Sequence, residues 1–179
     1  MVNDADILNA NILVMDDHYS NVLLLERILR QAGYACVTST IDPYAVCKLH
    51  QDNHYDLILL DMQMYGMDGF QVMESLNKIE SDGYLPVIVI TAQPSYRLRA
   101  LTTGAIDFIA KPFDLGEVQA RVYNMLKVRL LYKKLKNANK ALEQTIKERE
   151  QTIKELEQTI KKLEQTVQWT PNLSQRTAQ

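Results

Sequence analysis

The stretch DLILLDMQMYGMDG, residues 56–69, runs four aliphatic residues straight into a carboxylate. Leu57, Ile58, Leu59 and Leu60 offer no polar side chain to face water, which reads as a strand buried on both faces. An ionised carboxylate left unpaired in such surroundings costs several kcal/mol. Asp61 therefore belongs at the strand's exit, where a loop or a cation from elsewhere in the chain can meet it.

Outward from this strand, short apolar runs alternate with helical patterns. Strands are expected at 11–15, 35–39, 57–60, 86–90 and 105–110. The helix after the first strand takes Ser20 or Asn21 as its N-cap and stops at Gly33. The next opens with Asp42 as cap and Pro43 at the first helical position, where the missing N–H costs nothing. Two more cover roughly 68–79 and 95–103, the latter closed by Gly104, and Asp114 with Glu117 forms an acidic variant of the capping box before the last helix. Five nearly continuous Val/Ile/Leu strands, each followed by a helix, imply an α/β fold: a doubly wound, five-stranded parallel sheet. The expected order is 2-1-3-4-5, the flavodoxin-like arrangement.

From about residue 125 the text changes. EQTIKER, EQTIKEL and EQTIKKL follow one another from Glu143 to Leu163, a seven-residue internal repeat. With Ile146, Ile153, Ile160 and Val167 at heptad position a, position d takes Leu142, Arg149, Leu156 and Leu163. The register extends back through Asn139, Leu135, Tyr132, Val128 and Met125, and only Asn139 and Arg149 are polar. Such a seam implies a coiled coil; β-branched residues at a with Leu at d favour a parallel two-stranded homodimer. The expected organisation is an N-terminal tail (1–10), an α/β domain (11–124), a dimerising helix (125–168) and a disordered tail (169–179).

Charge supports two parts with different roles. Residues 1–113 carry 7 Lys/Arg against 14 Asp/Glu, whereas residues 114–179 carry 13 against 8. The basic run from Arg121 to Lys140 contains no acid, yet the apolar seam continues through it. A DNA-reading helix splayed from a zipper would not keep that seam, so nucleic-acid binding is disfavoured. The two cysteines, Cys36 and Cys47, form no CxxC or metal-type spacing. That pattern, with no signal peptide and no apolar run of about 18 residues, points to a cytoplasmic protein without a membrane span. His18, His50 and His54 build no ligand set and are expected on the surface or in loops. Met62, Met64 and Met67 are expected to pack.

In an open α/β sheet, sites form beyond the carboxyl ends of the strands. Those ends carry Asp16-Asp17, Asp61, Thr91 and Lys111-Pro112. With the first and third strands adjacent, three carboxylates converge, an arrangement that calls for a divalent cation; hard oxygen ligands suit Mg²⁺. A carboxylate at Asp61 can act as nucleophile toward phosphorus, with cations neutralising the phosphoryl oxygens.

Taken together, VMDDHYSN, LLDMQMYGMDG, VIVITA and FIAKPF resemble the receiver domain of two-component response regulators over roughly residues 10–128. The resemblance implies that Asp61 is the phosphoacceptor and that Asp16, Asp17, Asp61 and the Gln63 main-chain carbonyl bind Mg²⁺. It further implies that Thr91 and Lys111 contact the phosphoryl group, that small Ala92 gives access to it, and that Phe108 moves with Thr91 as a switch. Gln63 and Gln93 fall at variable positions that tune dephosphorylation in this family. One departure is Tyr65, where the family commonly has Pro. The implied partners are a histidine kinase or phosphotransfer protein as phosphodonor, a second copy of the chain through the helix, and an unnamed downstream protein. On this reading the chain is no enzyme beyond promoting its own phosphorylation and dephosphorylation. The alternative is the regulatory front of a larger effector, such as a cyclic-dinucleotide phosphodiesterase or cyclase; a hydrolase using the same acids lacks a second general base.

Overall fold

The computed structural model describes residues 2–80 and 84–168. Strands β1 (Ile12–Met15), β2 (Val37–Thr40), β3 (Leu57–Asp61), β4 (Val87–Thr91) and β5 (Asp107–Ala110) make one parallel sheet. Its order is β2-β1-β3-β4-β5, the flavodoxin-like order expected. The helices are α1 (Asp4–Leu8), α2 (Tyr19–Gln31), α3 (Val46–Asn53), α4 (Gly69–Ile79), α5 (Pro94–Thr103) and α6 (Leu115–Gln168). A 3₁₀ turn, Pro43–Ala45, leads into α3.

Alternation along the strands divides the core into two layers. Ile12, Val14, Leu57, Leu59, Ile88 and Ile90 pack with Leu25, Ile28 and Leu29 of α2 and Val118, Val122 and Leu126 of α6. Leu13, Met15, Ile58, Leu60 and Val89 face the other way, onto Val46 of α3 and Phe70, Met73 and Leu76 of α4. Each fully buried Leu or Ile contributes about 1.5–3 kcal/mol, and the three central strands are buried at every position. β2, at the edge, buries only Val37.

Several boundaries differ from the sequence reading for local reasons. β2 starts at Val37 because the Ala35 N–H is taken by the Leu8 carbonyl, outside the ladder. The N-cap of α2 is His18 rather than Ser20 or Asn21, and it makes no side-chain cap bond. Asp42 caps the 3₁₀ turn through the Tyr44 N–H. Asp114 accepts from the Glu117 N–H as expected, but the Glu117 carboxylate pairs with Arg121 instead of returning to the cap. α4 opens with a full capping box, Asp68 with Gln71. Gly69 is required there: an added Cβ would lie 2.6 Å from Met62 Sδ and 2.7 Å from the Asp61 carbonyl oxygen.

Residues 3–10, expected as a tail, are built into the fold. Asn3 and Asp6 form a capping box for α1, Ile7 and Ala10 are buried, and Ile7 joins the core layer of α2 and α6. Asp4 accepts a hydrogen bond from the Tyr123 hydroxyl of α6 at 2.8 Å. The chain divides into two units, Met1–Lys133 and Lys134–Gln179, so the boundary falls nine residues after the expected one. The cause lies in α6, whose turns from Val118 to Arg129 bury residues in the first unit. The expected disordered segment 169–179 lies outside the described residues.

Candidate functional site

The β1–β3 pairing, Met15 opposite Leu60, brings the two residues that follow, Asp16 and Asp61, to the same edge. Asp61 is 2% exposed and Asp16 fully buried. Lys111, at the exit of β5, reaches both: its Nζ lies 2.8 Å from Asp16 Oδ2 and 3.1 Å from Asp61 Oδ1. The cation demanded by the buried carboxylate at the end of β3 is therefore Lys111. A cis peptide bond joins it to Pro112.

Asp16 is heavily hydrogen-bonded, accepting from the His18 N–H at 2.9 Å, from Asn21 Nδ2 on both oxygens at 3.0 and 2.9 Å, and from Lys111. Asn21 thus serves Asp16 rather than the helix cap. Asp17 accepts from the Tyr65 N–H at 2.9 Å and lies 2.6 Å from His18 Nδ1. Burial pushes the Asp61 carboxyl above the usual carboxylate range; Lys111 pulls it back, and Asp16 adds to the rise. Asp61 Oδ1 is buried, with Lys111 Nζ beside it at 3.1 Å. A buried carboxylate beside two further carboxylates, with Lys111 to offset them, suits a hard divalent cation with oxygen ligands. Asp16, Asp17 and His18 each bring a ligand atom within 4.8 Å of the others.

Thr91 ends β4 fully buried, and its Oγ1 accepts from the Gln93 N–H at 3.1 Å. Ala92, Gln93 and Gln63 are exposed. Phe108 is half-buried on β5 opposite Val89, with the Arg121 guanidinium 5.8 Å from its ring centre. Met62 is buried, and Met64 and Met67 pack against the same core layer.

Of the histidines, the His18 side chain is 69% exposed at the site's rim, whereas His50 is buried on α3, neither at the surface nor in a loop as expected. Its Nε2 lies 3.1 Å from Glu80, and burial lowers its pKa. The i, i+30 pairing carries no signature in the sequence. Asn21 and the Tyr65 backbone were also missed as site elements; the signal for Asn21 was its place in the first turn after the paired acids.

Along α6, Leu135, Leu142, Ile153, Leu156, Ile160 and Leu163 are 54–61% exposed, with Val128 and Ile146 near one half. Asn139 and Arg149 are exposed. Tyr132 instead packs against Tyr84, ring centres 5.0 Å apart and planes tilted by 46°, and Met125 Sδ accepts from the Tyr84 hydroxyl, so these two register positions are engaged within the chain. The Val167 side chain lies outside what the structure describes. Among the described residues no helix is long and apolar enough to cross a membrane.

Residues 12–123 match the family model of the response regulator receiver domain. The response regulator PleD of Caulobacter vibrioides is 37% identical over 131 residues, 72% of this chain and 29% of that protein. The cyclic di-GMP phosphodiesterase response regulator RpfG of Xanthomonas campestris is 33% identical over 132 residues, 72% of this chain and 35% of that one. The chain thus spans about a third of either relative. Among solved structures, the receiver domain of the Pseudomonas aeruginosa sensor histidine kinase PA1611, with a magnesium ion coordinated in its active site cleft, shares 28% identity at a TM-score of 0.61. That match covers 66% of this chain and 98% of that one. The buried acids at the ends of β1 and β3, the lysine that meets them and these matches agree: the chain belongs to the response regulator receiver family.

Proposed function

We propose that Asp61 accepts a phosphoryl group from the phosphohistidine of a histidine kinase or phosphotransfer protein, in a Mg²⁺-dependent reaction. The observation that carries this reading is the buried Asp61 carboxylate at the end of β3, its Oδ1 3.1 Å from Lys111 Nζ and Lys111 also 2.8 Å from Asp16. A carboxylate oxygen of Asp61 attacks phosphorus; the acyl P–O bond forms as the P–N bond breaks, and the electron pair leaves on the imidazole nitrogen. Lys111 neutralises charge on the phosphoryl oxygens. The Thr91 oxygen already accepts from the Gln93 N–H, which leaves its hydroxyl proton to donate to the phosphoryl group. Asp16, Asp17, Asp61 and the Gln63 carbonyl would hold Mg²⁺, which when bound supplies further charge neutralisation at the phosphoryl oxygens. Thr91 and Phe108 then move inward together and alter the surface of α5, β5 and α6.

The second part of the proposal is that α6 joins two copies of the chain in a parallel coiled coil, through which the receiver signals to a downstream protein. Its support is the regular exposure of the heptad residues from Leu135 to Leu163. The alternative, a regulatory front of a longer cyclic-dinucleotide enzyme, draws on the likeness to RpfG and the short span of that relative covered here.

Intact-mass spectrometry after incubation with an acyl phosphate and Mg²⁺ tests the first part. Wild type is expected to gain one phosphoryl group and Asp61→Asn none. A wild-type gain in the variant overturns the assignment.

A further inference from the structure

We infer that the backbone N–H of Tyr65 is a positioning element of the cation site, a clasp between the two loops that supply its ligands. Asp17 stands on the loop after β1, and the Gln63 carbonyl on the loop after β3. The Tyr65 N–H, two residues beyond Gln63, donates to Asp17 Oδ2 at 2.9 Å across 48 residues of sequence. Proline, common in the family at this position, has no N–H to give. A proline at residue 65 could not make this bond.

The remainder of the loop holds this donor in place. Gly66, at φ +86°, lets the chain turn so that the Met67 N–H bonds the Tyr65 carbonyl. Met62 is anchored to the Ile90 carbonyl through its N–H, and its own carbonyl accepts from Gly69. The Tyr65 side chain does not explain the residue: it is 93% exposed. His18 Nδ1 lies against the other Asp17 oxygen at 2.6 Å, so the carboxylate is oriented from both sides. Each oxygen keeps a further lone pair for a cation. Fixing the carboxylate and the Gln63 loop relative to one another before a cation arrives lowers the ordering cost of binding.

The inference rests on the Mg²⁺ reading of the site, and the test separates the two. Mg²⁺ titration by calorimetry, with no phosphodonor present, is run on wild type, Tyr65→Ala and Tyr65→Pro. The Ala variant keeps the N–H and is expected to bind as wild type; the Pro variant is expected to bind about tenfold more weakly, the scale of a hydrogen bond to a charged group. Equal or tighter binding by Tyr65→Pro, or an equal loss in Tyr65→Ala, overturns the clasp while leaving the Mg²⁺ site intact. Absence of Mg²⁺ binding by wild type overturns the underlying reading instead. Amide hydrogen exchange of the wild type guards against a misfolded Pro variant: the Tyr65 N–H is expected to be protected without Mg²⁺. Exchange at the rate of an open amide overturns the clasp by itself.

Discussion

Asp61 faces opposing demands. Its burial raises the energy of the charged form, yet the proposed nucleophilic attack needs that form. Its native pKa stands above that of the unfolded chain, so the folded state holds the proton more tightly. Stability from this group is complete below the unfolded value near 3.8 and is lost as pH rises through the elevated native value. Each unit of elevation corresponds to about 1.4 kcal/mol. Without Mg²⁺, Asp61→Asn is expected to be more stable than wild type at pH 7, and the advantage is expected to vanish below about pH 4. Urea melts at both pH values check this; a pH-independent difference would assign the effect to packing. The side chains of this site were legible in sequence because each ends or follows an apolar run: Asp16, Asp61, Thr91 and Lys111 sit where strands stop. The Tyr65 N–H was not, since a backbone donor is no property of residue type. His50 with Glu80 was hidden because their pairing exists only after α3 and α4 have packed.

The five strands and α2 to α6 were readable from periodicity and caps, but α1 was not. MVNDADILNA offers barely a turn of helix and too few apolar residues to show a period. Its order comes from tertiary burial of Ile7 and Ala10 and from the bond between Asp4 and Tyr123. A helix of five residues has no stability alone. Ile7→Ala is therefore expected to cost about 2–4 kcal/mol of receiver stability, as a buried truncation does. A urea melt of the variant decides it: no loss would return residues 1–10 to the tail that composition suggests. The same logic explains the boundary at Lys133. Heptad pattern marks where a seam could begin, whereas the burial of Val122, Leu126 and Arg129 marks where the receiver ends.

For the assembled molecule, orientation of the proposed coiled coil follows from the flanks of the seam. With Ile146 at a, position e carries Glu143, Glu150, Glu157 and Glu164, and position g carries Thr145, Thr152 and Thr159. Antiparallel pairing would set one acidic row against the other; parallel pairing sets each against threonines. Those threonines donate to the carbonyls of Ala141, Glu148 and Glu155 within their own helix, so burial at an interface strands no hydroxyl proton. Ile153→Glu, in the middle of the seam, is expected to shift the chain from dimer to monomer in sedimentation. Glu150→Ala, on the flank, is expected to leave the dimer intact. A wild-type monomer, or a dimer unaffected by Ile153→Glu, would refute the coiled coil.

The contact between Asp4 and Tyr123 spans 119 residues, and it bears on how the chain reaches its fold. Helix α1 precedes all five strands along the chain, but its partner Tyr123 follows them. Closing so long a loop carries an entropic cost that grows slowly with length and is offset only once the sheet has formed. Helix α1 is therefore expected to dock late, a latch fastened across the finished receiver rather than a seed for it. Pulse-labelled hydrogen exchange during refolding checks this by whether its amides are protected last.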